Sequence, residues 1–194
     1  MWGVAEELEA LLGVGGRRLT ELLAVLLLLR DEGVAGRPRV ARILGLGDRK
    51  ARNLLTALRR TGLIEVTRSG SRLSARSVQL LEPVSMTAQG DVTVCCYRRP
   101  KAAALAGQVL RLRDRVAVLT SDPETILVLG FLEPGFSEPL FPGVPSNLAA
   151  RFKSLVKGCT GEAAVGVFQG LRRYLYCAAL VQASDTLLRS TSME

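Results

Sequence analysis

The side chains with the clearest chemical pattern lie in "DRKARNLLTALRR", residues 48–60. Projected at 100° per residue on a helix, Ala51, Leu54, Leu55 and Leu58 share one sector. Arg49, Asn53, Thr56 and Arg60 share the opposite sector, with Lys50 and Arg52 on its flanks. After Asp48 in the first turn, this outer face holds guanidiniums, an amide and a hydroxyl but no carboxylate. A face that only meets water normally mixes signs, because opposite charges at i, i+4 stabilise a helix and like charges repel. Donors of one sign suit the edges and phosphates of a polyanion. An arginine fork fits guanine, an asparagine amide fits adenine, and threonine can meet a thymine methyl or a phosphate.

The neighbouring segments repeat this chemistry. Arg68 and Arg72 flank "SGS", which is expected to place two guanidiniums at a hairpin tip, and Arg37, Arg39 and Arg42 lead into and along the preceding short helix. Over residues 37–76, eleven Lys or Arg face only Asp48 and Glu65, a local charge of +9. The other 154 residues sum to −1, so one segment carries the whole excess of a chain whose net charge is +8. A general preference for arginine would spread evenly and would not clear acids from one stretch. The segment also contains no aromatic residue, which disfavours an RNA surface built on base stacking.

These side chains need elements to position them. Trp2 to Leu12 reads as a short helix stopped by "GVGG". Leu19 to Arg30 is apolar on nearly every side, which predicts a central helix ending at Gly33. Pro38 suits the first turn of a short helix that ends near Gly45. The basic helix then starts from Gly47 or Asp48 as cap and stops at Gly62. "LIEVTR" and "RLSA" alternate as a two-stranded hairpin. Helix, helix, turn, helix, hairpin is the order of a winged helix-turn-helix. "ARILGLGDRKARNLLTALRRTGLIEV" resembles that family over roughly Leu19 to Ala75, except that Gly47 stands where Ser or Thr is usual. The resemblance implies that the helix at about 48–61 enters the major groove of duplex DNA. It also implies that a basic wing at 63–75 reaches the backbone or minor groove, and that the preceding helix crosses the phosphates.

The expected fold class is α+β: an N-terminal DNA-binding domain over residues 1–82, a linker over 83–90 and a small α+β domain over 91–194. In the last of these, "DVTVCCY", "RVAVLTS", "TILVLGFL" and "EAAVGVF" read as strands, with Asp122–Pro123 as a turn. "KAAALAGQVLRL", "SNLAARFKSLVKG" and residues 171–188 read as helices. The order β-α-β-β-α-β-α begins like a ferredoxin-like split βαβ unit. The whole chain resembles an archaeal family of winged-helix proteins with an α+β C-terminal domain, regarded as transcriptional regulators. "LRLRDRVAVLTSDPETILVLGFLEP" and "LFPG" carry the second half of that resemblance. It implies one charged motif there, Arg113 and Asp114, read as a structural salt bridge or a loop pair ahead of a ligand contact.

Other chemistries lack their parts. There is no histidine, and Cys95, Cys96, Cys159 and Cys177 show no C-x-x-C spacing, so the usual zinc sites and His-based catalysis are disfavoured. The cysteines read as small apolar packing residues, with Cys95 and Cys96 on opposite faces of a strand. A structural disulfide is the alternative, disfavoured in a reducing cytosol. "GVGG" follows no strand and reads as a linker, not a nucleotide loop. Neither an enzyme nor a cofactor is expected. The N-terminus lacks signal-peptide features, and "LLAVLLLL" is too short to span a bilayer, which predicts a cytoplasmic protein with no membrane partner. The reading is therefore a sequence-specific duplex-DNA-binding regulator, homodimeric through residues 91–194 and open to a small-molecule effector there. The alternative is a winged-helix assembly module of transcription or replication machinery that contacts protein through the same face.

Overall fold

A computed structural model describes residues 3–156 and 158–191; Trp2 and Lys157, at the ends of two expected helices, lie outside them. The helices are α1 (Val4–Leu12), α2 (Gly16–Glu32), α3 (Arg37–Leu44), α4 (Asp48–Arg60), α5 (Ala75–Leu80), α6 (Val109–Thr120), α7 (Ser146–Leu155) and α8 (Arg173–Thr191). The strands are β1 (Ile64–Thr67), β2 (Gly70–Leu73), β3 (Val84–Gln89), β4 (Val92–Arg98), β5 (Ile126–Leu132) and β6 (Ala163–Gln169). The chain is α+β, with one two-stranded sheet and one four-stranded sheet among the described residues.

The expected central helix is α2, buried continuously from Leu19 to Leu29. Its partner is α8, likewise buried around most of its circumference from Tyr174 to Leu188. Helices that bury every side need neighbours on every side. Side chains of α1, α2, α4, α6, α8 and one face of the larger sheet accordingly belong to a single apolar cluster. That cluster crosses the expected domain boundary. The expected linker is also a strand: β3 pairs antiparallel with β4 from Val84–Tyr97 to Gln89–Val92.

The larger sheet runs β3-β4-β6-β5, and every pairing in it is antiparallel. A ferredoxin-like sheet has a parallel central pair, so that expectation is corrected. The difference begins at "RVAVLTS", which forms the last turns of α6. Alternation would put Val116, Val118 and Thr120 on one face, yet Val118 is 75% exposed while Val116 and Thr120 are fully buried. The buried set is Leu112, Val116 and Thr120, spaced four apart, which is a helical stripe. The Asp122–Pro123 turn therefore joins a helix to a strand.

The cysteines are corrected as well. Cys95 is bonded to Cys177 and Cys96 to Cys159. Adjacent strand residues face opposite ways, so one bridge ties β4 to α8 while the other ties it to the segment before β6 on the far face. On that far face α7, with Phe152 edge-on to Phe141, covers a second apolar cluster.

Candidate nucleic-acid interface

α4 is anchored on one side and open on the other. Ala51, Leu54 and Leu58 are buried, and Leu55 is half-buried. The turn from α3 is set by Gly45, whose left-handed backbone at φ 62° costs glycine little and lets the Leu46 N–H return to the Ala41 carbonyl at 2.8 Å. Gly47 is the N-cap. The far end is closed by the Thr61 hydroxyl, which donates to the Leu58 carbonyl at 3.0 Å. Leu63 N–H donates to the same carbonyl at 3.0 Å, leading the chain into the hairpin.

The hairpin is held against the helices by its own backbone. Ala35 and Ser71 exchange two hydrogen bonds, at 3.0 and 2.9 Å, so the α2–α3 connection serves as a third short strand. Only glycine fits beside that contact, because a side chain on Gly70 would begin 2.7 Å from the Ala35 backbone. Thr67 pairs with Gly70, so Arg68 and Ser69 alone make the tip. This corrects the expected place of Arg72: it lies within β2, directly opposite Glu65.

The expected contact residues separate into two groups. Arg49, Asn53, Thr56 and Arg60 are exposed on α4, and Arg68 is exposed at the tip. None of the five engages a hydrogen-bond or ion-pair partner among the described residues. Arg42 on α3 and Arg59 on α4 share that condition. Arg59 belongs beside Arg60 although projection alone did not single it out.

The second group is partnered. Arg39 forks onto Glu32 at 3.0 and 2.9 Å. The hydrogen bond from Arg39 holds the Glu32 carboxyl below its usual range, and Glu32 in turn raises Arg39. Arg72 donates twice to Glu65, at 2.9 and 2.7 Å. Asp48 accepts Arg37 at 2.8 Å and meets Arg52 at 3.7 Å. Exposed pairs of this kind contribute roughly 0–1 kcal/mol, so a phosphate can compete for these arginines. Lys50 differs. Its Nζ donates at 2.6 Å to Glu21, a carboxylate on α2 that is 3% exposed and otherwise meets Arg17 at 3.4 Å.

Arg113 and Asp114 do not form a pair. Arg113 lines a groove of about 350 Å³ beside β5, with Leu110 and Leu127. Asp114 lines a different cavity, about 450 Å³ between α1, α2, α6 and α8.

A buried polar cluster has no signal in the sequence, because its members lie far apart. Asp185 on α8, 1% exposed, accepts from the Tyr97 hydroxyl at 2.7 Å, the Ala5 N–H at 2.8 Å and Arg99 Nε at 3.0 Å. Burial outweighs these contacts and pushes its carboxyl up to about 6. Burial, reinforced by the charge of Asp185, also raises the Tyr97 hydroxyl. Arg99 reaches Glu6 at 3.3 Å as well, so the start of α1 is docked on α8 and β4. A side chain on Gly3 would begin 2.0 Å from Asp185 Oδ1, which makes glycine necessary there. Among the described residues, no group of three His, Cys, Asp or Glu side chains is placed to hold a metal ion, and no helix is long and apolar enough to cross a membrane.

No family model matches the chain, and no curated protein matches it. Among solved structures it is similar to the hypothetical protein PH0730 from Pyrococcus horikoshii OT3, with a TM-score of 0.58 and 16% identity. The likeness covers 90% of this chain and 94% of that one, and it concerns the fold.

Proposed function

We propose that α2, α3, α4 and the β1–β2 hairpin form a winged helix-turn-helix that reads duplex DNA, and that the protein is a transcriptional regulator. The observation that carries this reading is the row Arg49, Asn53, Thr56 and Arg60 on one helix face, with Arg68 on the adjoining hairpin tip. All are exposed and without hydrogen-bond or ion-pair partners among the described residues. A helix of 13 residues is about 20 Å long and fits a major groove about 12 Å wide. Arg39, Arg42, Arg52 and Arg72 stand beside that face as phosphate contacts, the first, third and fourth by exchanging a weak surface partner for a phosphate. Lys50 supports α4 from behind.

A single winged helix reads about half a site, so a homodimer through residues 91–194 would set two in register. Sedimentation of the full chain at micromolar concentration, with and without duplex, would show a dimer; a monomer in both would remove this part. DNA binding requires an intracellular location. Two disulfides are exceptional in a reducing cytosol, and the proposed location therefore requires a cell whose cytosolic proteins carry them, as in hyperthermophiles. Replacing Arg49 and Arg60 together by Ala is expected to weaken duplex binding in a mobility-shift assay about a hundredfold at low salt. Unchanged binding would overturn the reading.

A further inference from the structure

The cavity of about 450 Å³ between α1, α2, α6 and α8 joins the N-terminal helices to the C-terminal half. We propose that it binds a small zwitterion of the apolar α-amino-acid class. Its volume is within the range of small-molecule sites, roughly 300–1,000 Å³. Most charged groups on its walls are already committed. Asp185 is held by Tyr97, Ala5 and Arg99. Arg189 is held by Glu9 at 2.8 Å and by Glu6 at 3.6 Å. The Gln182 amide accepts from Thr20 and donates to the Gly16 carbonyl.

Two charges remain. Asp114 and Arg115 are consecutive on α6, exposed, opposite in sign and without partners among the described residues. Directly below them on the same helix face, Val118 is 75% exposed beside Leu119, and Leu19 and Ala183 line the opposing walls. A carboxylate free to accept an ammonium, a guanidinium fork free to clamp a carboxylate and an uncovered valine on one helix face together suit one ligand. Its ammonium meets Asp114, its carboxylate meets Arg115, and its side chain covers Val118.

The site also has a route to the proposed DNA-reading helix. Gly16 and Leu19 line the cavity, and Glu21, two residues further along α2, holds Lys50 of α4. This coupling rests on the DNA-binding reading; ligand binding does not.

The test uses the full chain without DNA. L-leucine, L-methionine and L-phenylalanine are titrated calorimetrically and by thermal shift, beside isoamylamine and isocaproate, which each lack one of the two charged groups. At least one amino acid is expected to bind saturably with a millimolar or tighter Kd, and both half-ligands are expected to fail. Asp114→Asn and Arg115→Gln, both at exposed positions that leave the core intact, should each weaken binding about tenfold or more. Absence of binding at about 10 mM, binding unaffected by both substitutions, or equal binding of a half-ligand would each overturn the site. Repeating duplex titrations with the bound amino acid separates the two readings: intact amino-acid binding beside absent duplex binding supports the site and removes the DNA reading.

Discussion

Arg49 and Lys50 are neighbours in the chain with opposite employment. Arg49 extends from α4 without a partner among the described residues, whereas Lys50 donates to Glu21 on α2. Lys50→Met would leave that carboxylate with Arg17 alone. It should lower unfolding free energy in urea by about 1–2 kcal/mol, discounted for the half-exposed lysine, while changing duplex affinity less than about tenfold. Arg49→Ala should do the reverse, altering stability by less than about 0.5 kcal/mol. Equal stability loss in both would contradict this division. The distinction was not legible beforehand, because Glu21 lies 29 residues from Lys50 within a run of leucines. Asp185 carries a pH signature. Its folded carboxyl stands near 6 against an ordinary 3.8, so the unfolded chain holds fewer protons between those values. Its contribution to stability is therefore fully present below 3.8 and lost as pH rises through 6. Glu32, lowered by Arg39, has the opposite sign and fades with acid. A carboxyl carbon resonance of Asp185 titrating near 6 is expected. A midpoint at its ordinary value would contradict the burial argument.

Helices and hairpins follow local rules, and those were readable. Gly33, Gly45 and Gly62 end or follow helices as expected, and the 3.6-residue stripe of Ala51, Leu54 and Leu58 does face inward. Alternation and helical spacing coincide in "RVAVLTS", which forms the end of α6, and a short polar strand such as β3 resembles a connection. Ser74 caps α5 by accepting from the Ser77 N–H, which turns the expected end of a strand into a helix start. Disulfides escaped for a different reason: spacing along the chain says nothing about Cys95 and Cys177, 82 residues apart. Closing loops of this size restricts the unfolded chain and stabilises by about 4 kcal/mol per bridge. Peptide mapping without reductant should recover both linkages, and reductant should lower the melting temperature well beyond 10 °C or so. Recovery of four free thiols would contradict the bonded arrangement.

The two halves are not beads on a string. α2 belongs to the proposed reading head and also packs on α8, and the start of α1 is docked on Asp185 of that same helix. The sequence hides this arrangement, because Pro83 and Gly90 flank strand β3, which is polar on its exposed side and reads like a connection. One continuous helix, α2, thus lines the α6–α8 cavity at Gly16 and Leu19 and holds α4 through Glu21. The charge excess of residues 37–76, by contrast, was legible in full, and its use is the claim on which the account stands. The most direct measurement is duplex affinity of the full chain across ionic strength. If about five phosphates are neutralised, log affinity should fall with log salt at a slope near −4 to −5, and the Arg49→Ala, Arg60→Ala double variant should flatten it by about 2. A slope near zero in the unaltered chain, or an unchanged slope in the variant, would contradict the account.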